Sequence, residues 1–293
     1  MKFAHLYDGG SHTFQVDPTV SDFLTEWTAA DKLMRRQQYD LALAAFVALS
    51  EYGSATDYQK SLALAQAANC ARRVKNAEQA TDLVESIPVE AMAMMGHLQN
   101  LVGERQWTAL IEQFGTEDLL TWPFTQIGSA ALARGQAYYA LKSGTKADAD
   151  FQLALKFTSD TRTRLSILRV MAQNRELVLQ DDAIALEAYR RIVDSKTNTG
   201  SAEYFTGLQG MARLLSRGGD HQGALETFDR VDIDKLAGSW RAAMRFSYGK
   251  TLEAADRKVE AMQSYREVLT DEKASQAHRR RAKEALAALQ AED

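Results

Sequence analysis

The side chains with the widest chemical repertoire in this sequence are five histidines and one cysteine, and their spacing bounds what they can do. His5, His12, His97, His221 and His278 are scattered, with none at the spacing of H-E-x-x-H that puts two ligands on one helical face. His5, Asp8 and His12 flank a tight turn and form the one ligand set to weigh, against the plainer reading of surface residues on a hairpin. Cys70, in AANCARR, has no base beside it. Arg72 and Arg73 would favour its thiolate, whereas burial as a small core residue needs no chemistry at all. Asp181 and Asp182 stand where a helix starts, a place for carboxylates that satisfy amide groups and complement the helix dipole. The glycines of GLQG and RGGD lack the phosphate-loop pattern and a preceding strand. No catalytic residue, metal site or cofactor is expected, and the chain reads as non-enzymatic.

Two further groups carry binding chemistry. Trp107, Trp122 and Trp240 could line a sugar surface, but packing between helices explains them more simply. The run HRRRAKEA presents Arg279, Arg280, Arg281 and Lys283, which could contact phosphate or an acidic partner, although helical geometry spreads them around the axis as a solvated face. A formal net charge of -4 provides no general attraction to phosphate backbones, so no nucleic-acid partner is expected. The longest apolar run, LALAAFVAL, is far short of the roughly 20 residues that cross a bilayer, so no membrane insertion is expected either. The first residues lack the apolar core of a secretory signal, which as written reads as an unexported chain, and one cysteine leaves the compartment open.

The elements that must position these residues are helices. Proline occurs only 3 times in 293 residues, while Ala, Leu, Gln, Glu, Lys and Arg abound. One helical-face pattern then recurs: an alanine, an aromatic or apolar residue four on, and an apolar residue three further. It reads Ala42-Phe46-Leu49, Ala80-Val84-Ile87, Ala147-Phe151-Ala154, Ala185-Tyr189-Ile192, Ala224-Phe228-Val231 and Ala261-Tyr265-Val268. The one long gap, between Ala80 and Ala147, holds a degenerate copy in MAMMGHLQNLVGERQWTALIEQF, which makes seven units. About a dozen residues upstream of each lies a first helix that ends in a turn of Gly, Asn or Asp, as in SRGGD, where Gly218 and Gly219 close one helix and Asp220 caps the next. Small residues on first helices (Ala68, Gly135, Ala212, Gly249) let backbones approach, and the second-helix aromatics fill the space between.

This grammar resembles the tetratricopeptide repeat (TPR) family, most closely in ALARGQAYYALKSGTKADADFQLAL and RFSYGKTLEAADRKVEAMQSYREVL, over about Phe23 to Leu269. Its units run a few residues longer than the usual 34, prolines between most units are missing, and Glu176 falls where a packing residue is expected. The resemblance implies an all-α, right-handed α-solenoid of about seven TPR-like hairpins over residues 21–272, with Ser21 as a candidate first cap. A C-terminal capping helix takes 273–293, with Ala282, Leu286 and Leu289 on one stripe, and an N-terminal arm, a possible short β-hairpin, takes 1–20. By resemblance, first helices line a concave surface, and the positions one and four after the small residue contact an extended peptide. These are Asn69 and Arg72, Gln136 and Tyr139, Arg213 and Ser216, Lys250 and Glu253, with Asn174 from the irregular fifth unit. The lysine–asparagine clamp that some members use for a terminal carboxylate is not reproduced. The expected function is a scaffold or adaptor that binds a protein or peptide partner, with Arg213→Glu weakening the partner and sparing helicity. Two alternatives are a ligand-sensing regulator and a carbohydrate-processing enzyme.

Overall fold

Each first helix must hand over to the second within a few residues, and the backbone of that handover defines the molecule. The computed structural model describes residues 18–195 and 199–291. The seven hairpins among them are α1 (Pro18–Arg35) with α2 (Tyr39–Ser50), α3 (Asp57–Arg73) with α4 (Ala77–Glu85), α5 (Glu90–Gly103) with α6 (Trp107–Phe114), α7 (Phe124–Ala140) with α8 (Gly144–Lys156), α9 (Thr161–Leu177) with α10 (Asp182–Val193), α11 (Ala202–Arg217) with α12 (His221–Phe228), and α13 (Gly238–Ala254) with α14 (Lys258–Thr270). A single helix, α15 (Gln276–Ala291), follows. The degenerate third copy is thus a true hairpin, and no strand occurs among the described residues.

In every hairpin one turn residue takes the left-handed conformation: Gln37, Lys75, Arg105, Lys142, Gln180, Gly219 and Asp256. Only one of these is glycine; the other six hold φ between 56° and 63°, a region that crowds a Cβ against its own backbone. The geometry persists because it closes the helix end. In six of the turns the amide of the next residue donates back to the carbonyl five residues earlier, at 2.8–3.0 Å, as in Asn76 to Ala71 and Arg257 to Leu252. The fifth turn is one residue longer and closes with Asp181 N–H donating to Arg175 O at 2.9 Å. Asn76, Asp181 and Asp220 then accept from amides three residues on and so start the second helix.

The chain divides into two compact units, Met1–Gln126 and Ile127–Asp293. In the first, the core joins Phe23, Ala30, Phe46, Ala67 and Cys70, and Trp27 packs edge-on to Phe46 with ring centroids 5.1 Å apart. In the second, Ala261, Tyr265 and Val268 are enclosed together with Ala282 and Leu289 of α15, so the last helix covers the face that α13 and α14 would otherwise expose. Small residues and rings interlock. A Cβ added to Gly135 would lie 2.8 Å from Phe151, one at Gly249 would lie 2.6 Å from Tyr265, and one at Gly210 would lie 2.4 Å from Tyr189. Fully enclosing a ring of this size is worth roughly 1.5–3 kcal/mol.

One expectation changes at the start of the chain. The first helix begins at Pro18, where a missing amide hydrogen costs nothing, so Ser21 lies within the helix and not at its cap. His5, Asp8, His12 and the expected hairpin arm lie outside the described residues.

Candidate functional site

The residues one and four positions after each first helix's small residue share a helical face, and the structure gives them different employment. On α3, Asn69 is half-buried, and Arg72 donates to Asn100 Oδ1 at 2.6 Å and Gln99 Oε1 at 3.0 Å, tying α3 to α5. On α7, Gln136 and Tyr139 are half-buried, with Lys142 Nζ over the Tyr139 ring at 5.7 Å. Asn174 does not belong to an exposed surface. It is fully buried, and its amide donates to Gly144 O at 2.9 Å, a bond that joins α9 to the start of α8.

The position on α9 that matches Arg72, Tyr139, Ser216 and Glu253 is Glu176, four residues after the small Ala172. Its side chain is only 1% exposed. The carboxylate accepts from Arg213 Nε at 2.7 Å and Nη2 at 2.6 Å, from Tyr189 Oη at 2.9 Å, and from Arg217 at 3.4 Å. Burial acts to raise the pKa of this carboxyl, but the hydrogen bonds and charge of Arg213, with Tyr189 and Arg217 behind them, outweigh it and hold the group below the ordinary glutamate range. Arg213 is therefore the counter-ion of a buried acid as well as a surface cation. Charge reversal at Arg213 would set two carboxylates together, so Arg213→Glu tests stability before it tests binding.

Arg213 and Lys250 nevertheless meet at one place, a cleft of about 710 Å³ within the second unit. Its wall takes Arg213 from α11, Trp240, Phe246 and Lys250 from α13, and His278 and Arg281 from α15. Trp240 is backed by Phe205, with centroids 5.1 Å apart, and Phe246 by Tyr265 at 5.7 Å, so each ring is braced from behind. Lys250 Nζ is 2.6 Å from Glu253 Oε1, and the Lys250 side chain is half exposed. Burial, and after it the charge of Arg281, lowers the pKa of His278, whose Nδ1 lies 3.0 Å from Ser275 Oγ. Among the described residues no aspartate or glutamate lines this cleft.

The opposite stripe of α13 has the reverse character. There a cleft of about 600 Å³ gathers Asp229, Asp232, Asp234, Glu260 and Glu267 around Arg245, which pairs with Asp234 and with Glu267. Helix α13 thus separates a wall without carboxylates from one rich in them. The cationic side can hold an anion and an apolar group together. The Ser275 hydroxyl that meets His278 sits just before α15, accepts from the His278 amide at 3.3 Å and lies outside the cleft lining.

The other chemical candidates fall into packing. Cys70 is fully buried, and burial pushes its thiol pKa up against the opposing pull of Arg72 and Arg73. Trp122 is enclosed edge-on to Phe114. Among the described residues no group of three or more His, Cys, Asp or Glu side chains is placed to hold a metal, and no helix is long and apolar enough to cross a membrane. Sequence reasoning missed Phe246 and His278 as site residues, read Arg281 chiefly as part of a solvated face and placed Trp240 in packing. The HRRR run held the only hint of Arg281.

No family model matches the chain, and no curated protein matches it. Among solved structures it is similar to the C-terminal part of a TPR repeat-containing protein from Cytophaga hutchinsonii, with a TM-score of 0.55 at 14% identity, over 88% of this chain and 98% of that one. A tetratricopeptide repeat protein from Parabacteroides merdae aligns over 92% of this chain and 99% of its own, at 12% identity and a TM-score of 0.48.

Proposed function

From a fold of the tetratricopeptide-repeat type, we propose that this chain is a non-enzymatic scaffold that holds a segment of a protein partner against its first helices. The observation that carries the reading is the α11, α13 and α15 cleft, where cations from three helices surround two braced aromatic rings. Stacked hairpins supply ordered surface without a sealed reaction chamber, and such a wall suits an extended segment, which orders little on binding when its receptor is preformed.

The test exploits the burial of Cys70, the single cysteine. Ser239 is an exposed residue of the cleft wall, so Ser239→Cys can be labelled selectively with a bulky maleimide. Peptides selected from a displayed library against the unlabelled full-length protein should lose most of their affinity once the label fills the cleft. Selected peptides that bind the labelled protein equally well would refute the assignment.

A further inference from the structure

Resting on that reading, we propose that the occupant of this cleft is an internal acidic peptide segment that carries an aromatic or large aliphatic side chain among its carboxylates. The chain holds 39 aspartates and glutamates against 35 lysines and arginines. A cleft wall without a single acid is therefore not what average composition supplies. The acids nearby are turned to other work: Glu176 is enclosed beneath Arg213, Glu253 receives Tyr265 Oη at 2.7 Å as well as Lys250, and five others gather across α13.

The cations retain unused capacity. Arg213 engages Glu176 through Nε and Nη2 and keeps Nη1 for another acceptor. Lys250 has one carboxylate for three donors, and Arg281 is exposed with no ion pair among the described residues. These three come from three helices, so a ligand needs several carboxylates along its length to meet them, which a lone terminal carboxylate cannot do. Trp240 and Phe246, held by the rings behind them, provide the apolar contact that orients such a segment at little entropic cost.

Labelled ten-residue peptides titrated into the full-length protein by fluorescence anisotropy test this. The first peptide alternates acidic residues with Trp and Leu. The second replaces every acid by its amide, the third replaces every acid by lysine, and the fourth keeps the acids but replaces Trp and Leu with Ser. The first should bind about tenfold or more tighter than the second, the increment of one charge-assisted contact or more. Its advantage should shrink as salt is raised, and amidating its C-terminus should leave affinity unchanged. Lys250→Ala with Arg281→Ala should abolish the preference without moving the thermal midpoint. Equal binding of the first two peptides, both displaced by the Ser239→Cys label, would overturn the acidic occupant and leave the scaffold intact. Equal binding of the first and fourth, or competition by inorganic polyphosphate at matched charge, would reduce the cleft to a general anion surface and overturn it as well. Peptides that bind but ignore the label would overturn the site itself.

Discussion

At the scale of single residues, the sharpest feature is a glutamate enclosed where neighbouring repeats carry half-buried polar side chains. Glu176 survives burial because Arg213 reaches it with two bonds and Tyr189 with a third. Arg213→Ala should therefore lower stability by about 3 kcal/mol, at the lower end for a broken buried pair because Arg217 stays 3.4 Å away. Lys250→Ala should stay within about 0.5 kcal/mol, since its pair with Glu253 is half exposed. Urea denaturation midpoints of the two variants separate these outcomes. Asp271 gives a pH counterpart. Two hydrogen bonds from Arg241, at 2.6 and 2.7 Å, draw its carboxyl down from 3.8 to about 2, with a bond from the Lys273 amide adding to the pull. A folded pKa below the unfolded one stabilises the protein above about pH 4, and that increment is lost as pH falls through 2. Arg241→Met should unfold at lower temperature than the parent at pH 7, with the gap closing toward pH 2 in thermal scans. None of these pairs was legible beforehand, because a charged residue on a helical repeat reads as solvent-facing. Glu176 was visible only as a departure from the packing pattern.

At the scale of elements, the repeat was legible because alanines and rings recur at helical spacing and because that spacing serves a contact. Tyr265 lies against Gly249 so closely that a methyl group there would sit 2.6 Å from the ring. Gly249→Ala should cost about 1–3 kcal/mol through overpacking, and Tyr265→Leu in the same chain should recover part of the loss, a coupling that a double-mutant cycle measures. The third hairpin is hard to see for a physical reason: Leu110, buried, stands where the other second helices carry alanine, while Phe114 keeps the aromatic place four residues on. The left-handed turn residues were hidden more thoroughly. Gln, Lys, Arg and Asp adopt them because the returning hydrogen bonds enforce the geometry, and propensity alone would have asked for glycine. Lys75→Gly should accordingly raise stability by about 0.5–1 kcal/mol, the relief of a crowded Cβ less the greater freedom of the unfolded chain. Lys75→Ala, which keeps the Cβ, should show no such gain in the same urea titration.

At the scale of the whole molecule, two compact units each enclose apolar clusters of their own. A fragment from Phe124 to Asp293, starting at the first residue of α7, should stay helical and melt cooperatively by circular dichroism; a broad, non-cooperative melt would count against its independence. The candidate site was the least legible feature of all. Arg213 and Lys250 followed from the repeat, but Trp240, His278 and Arg281 join them only through the packing of α13 and α15, which no local spacing encodes. The turns carry a different consequence, for how a chain of this kind changes length. Each closes its own helix end with hydrogen bonds confined to a few residues, so the same local structure occurs at Gly219 and at Asp256. Joining Gly219 directly to Arg257 would remove one complete period and leave a native junction in its place. The molecule is divisible at its bends, and deletion or duplication between two bends of the same closure exchanges whole cassettes with the turn geometry kept.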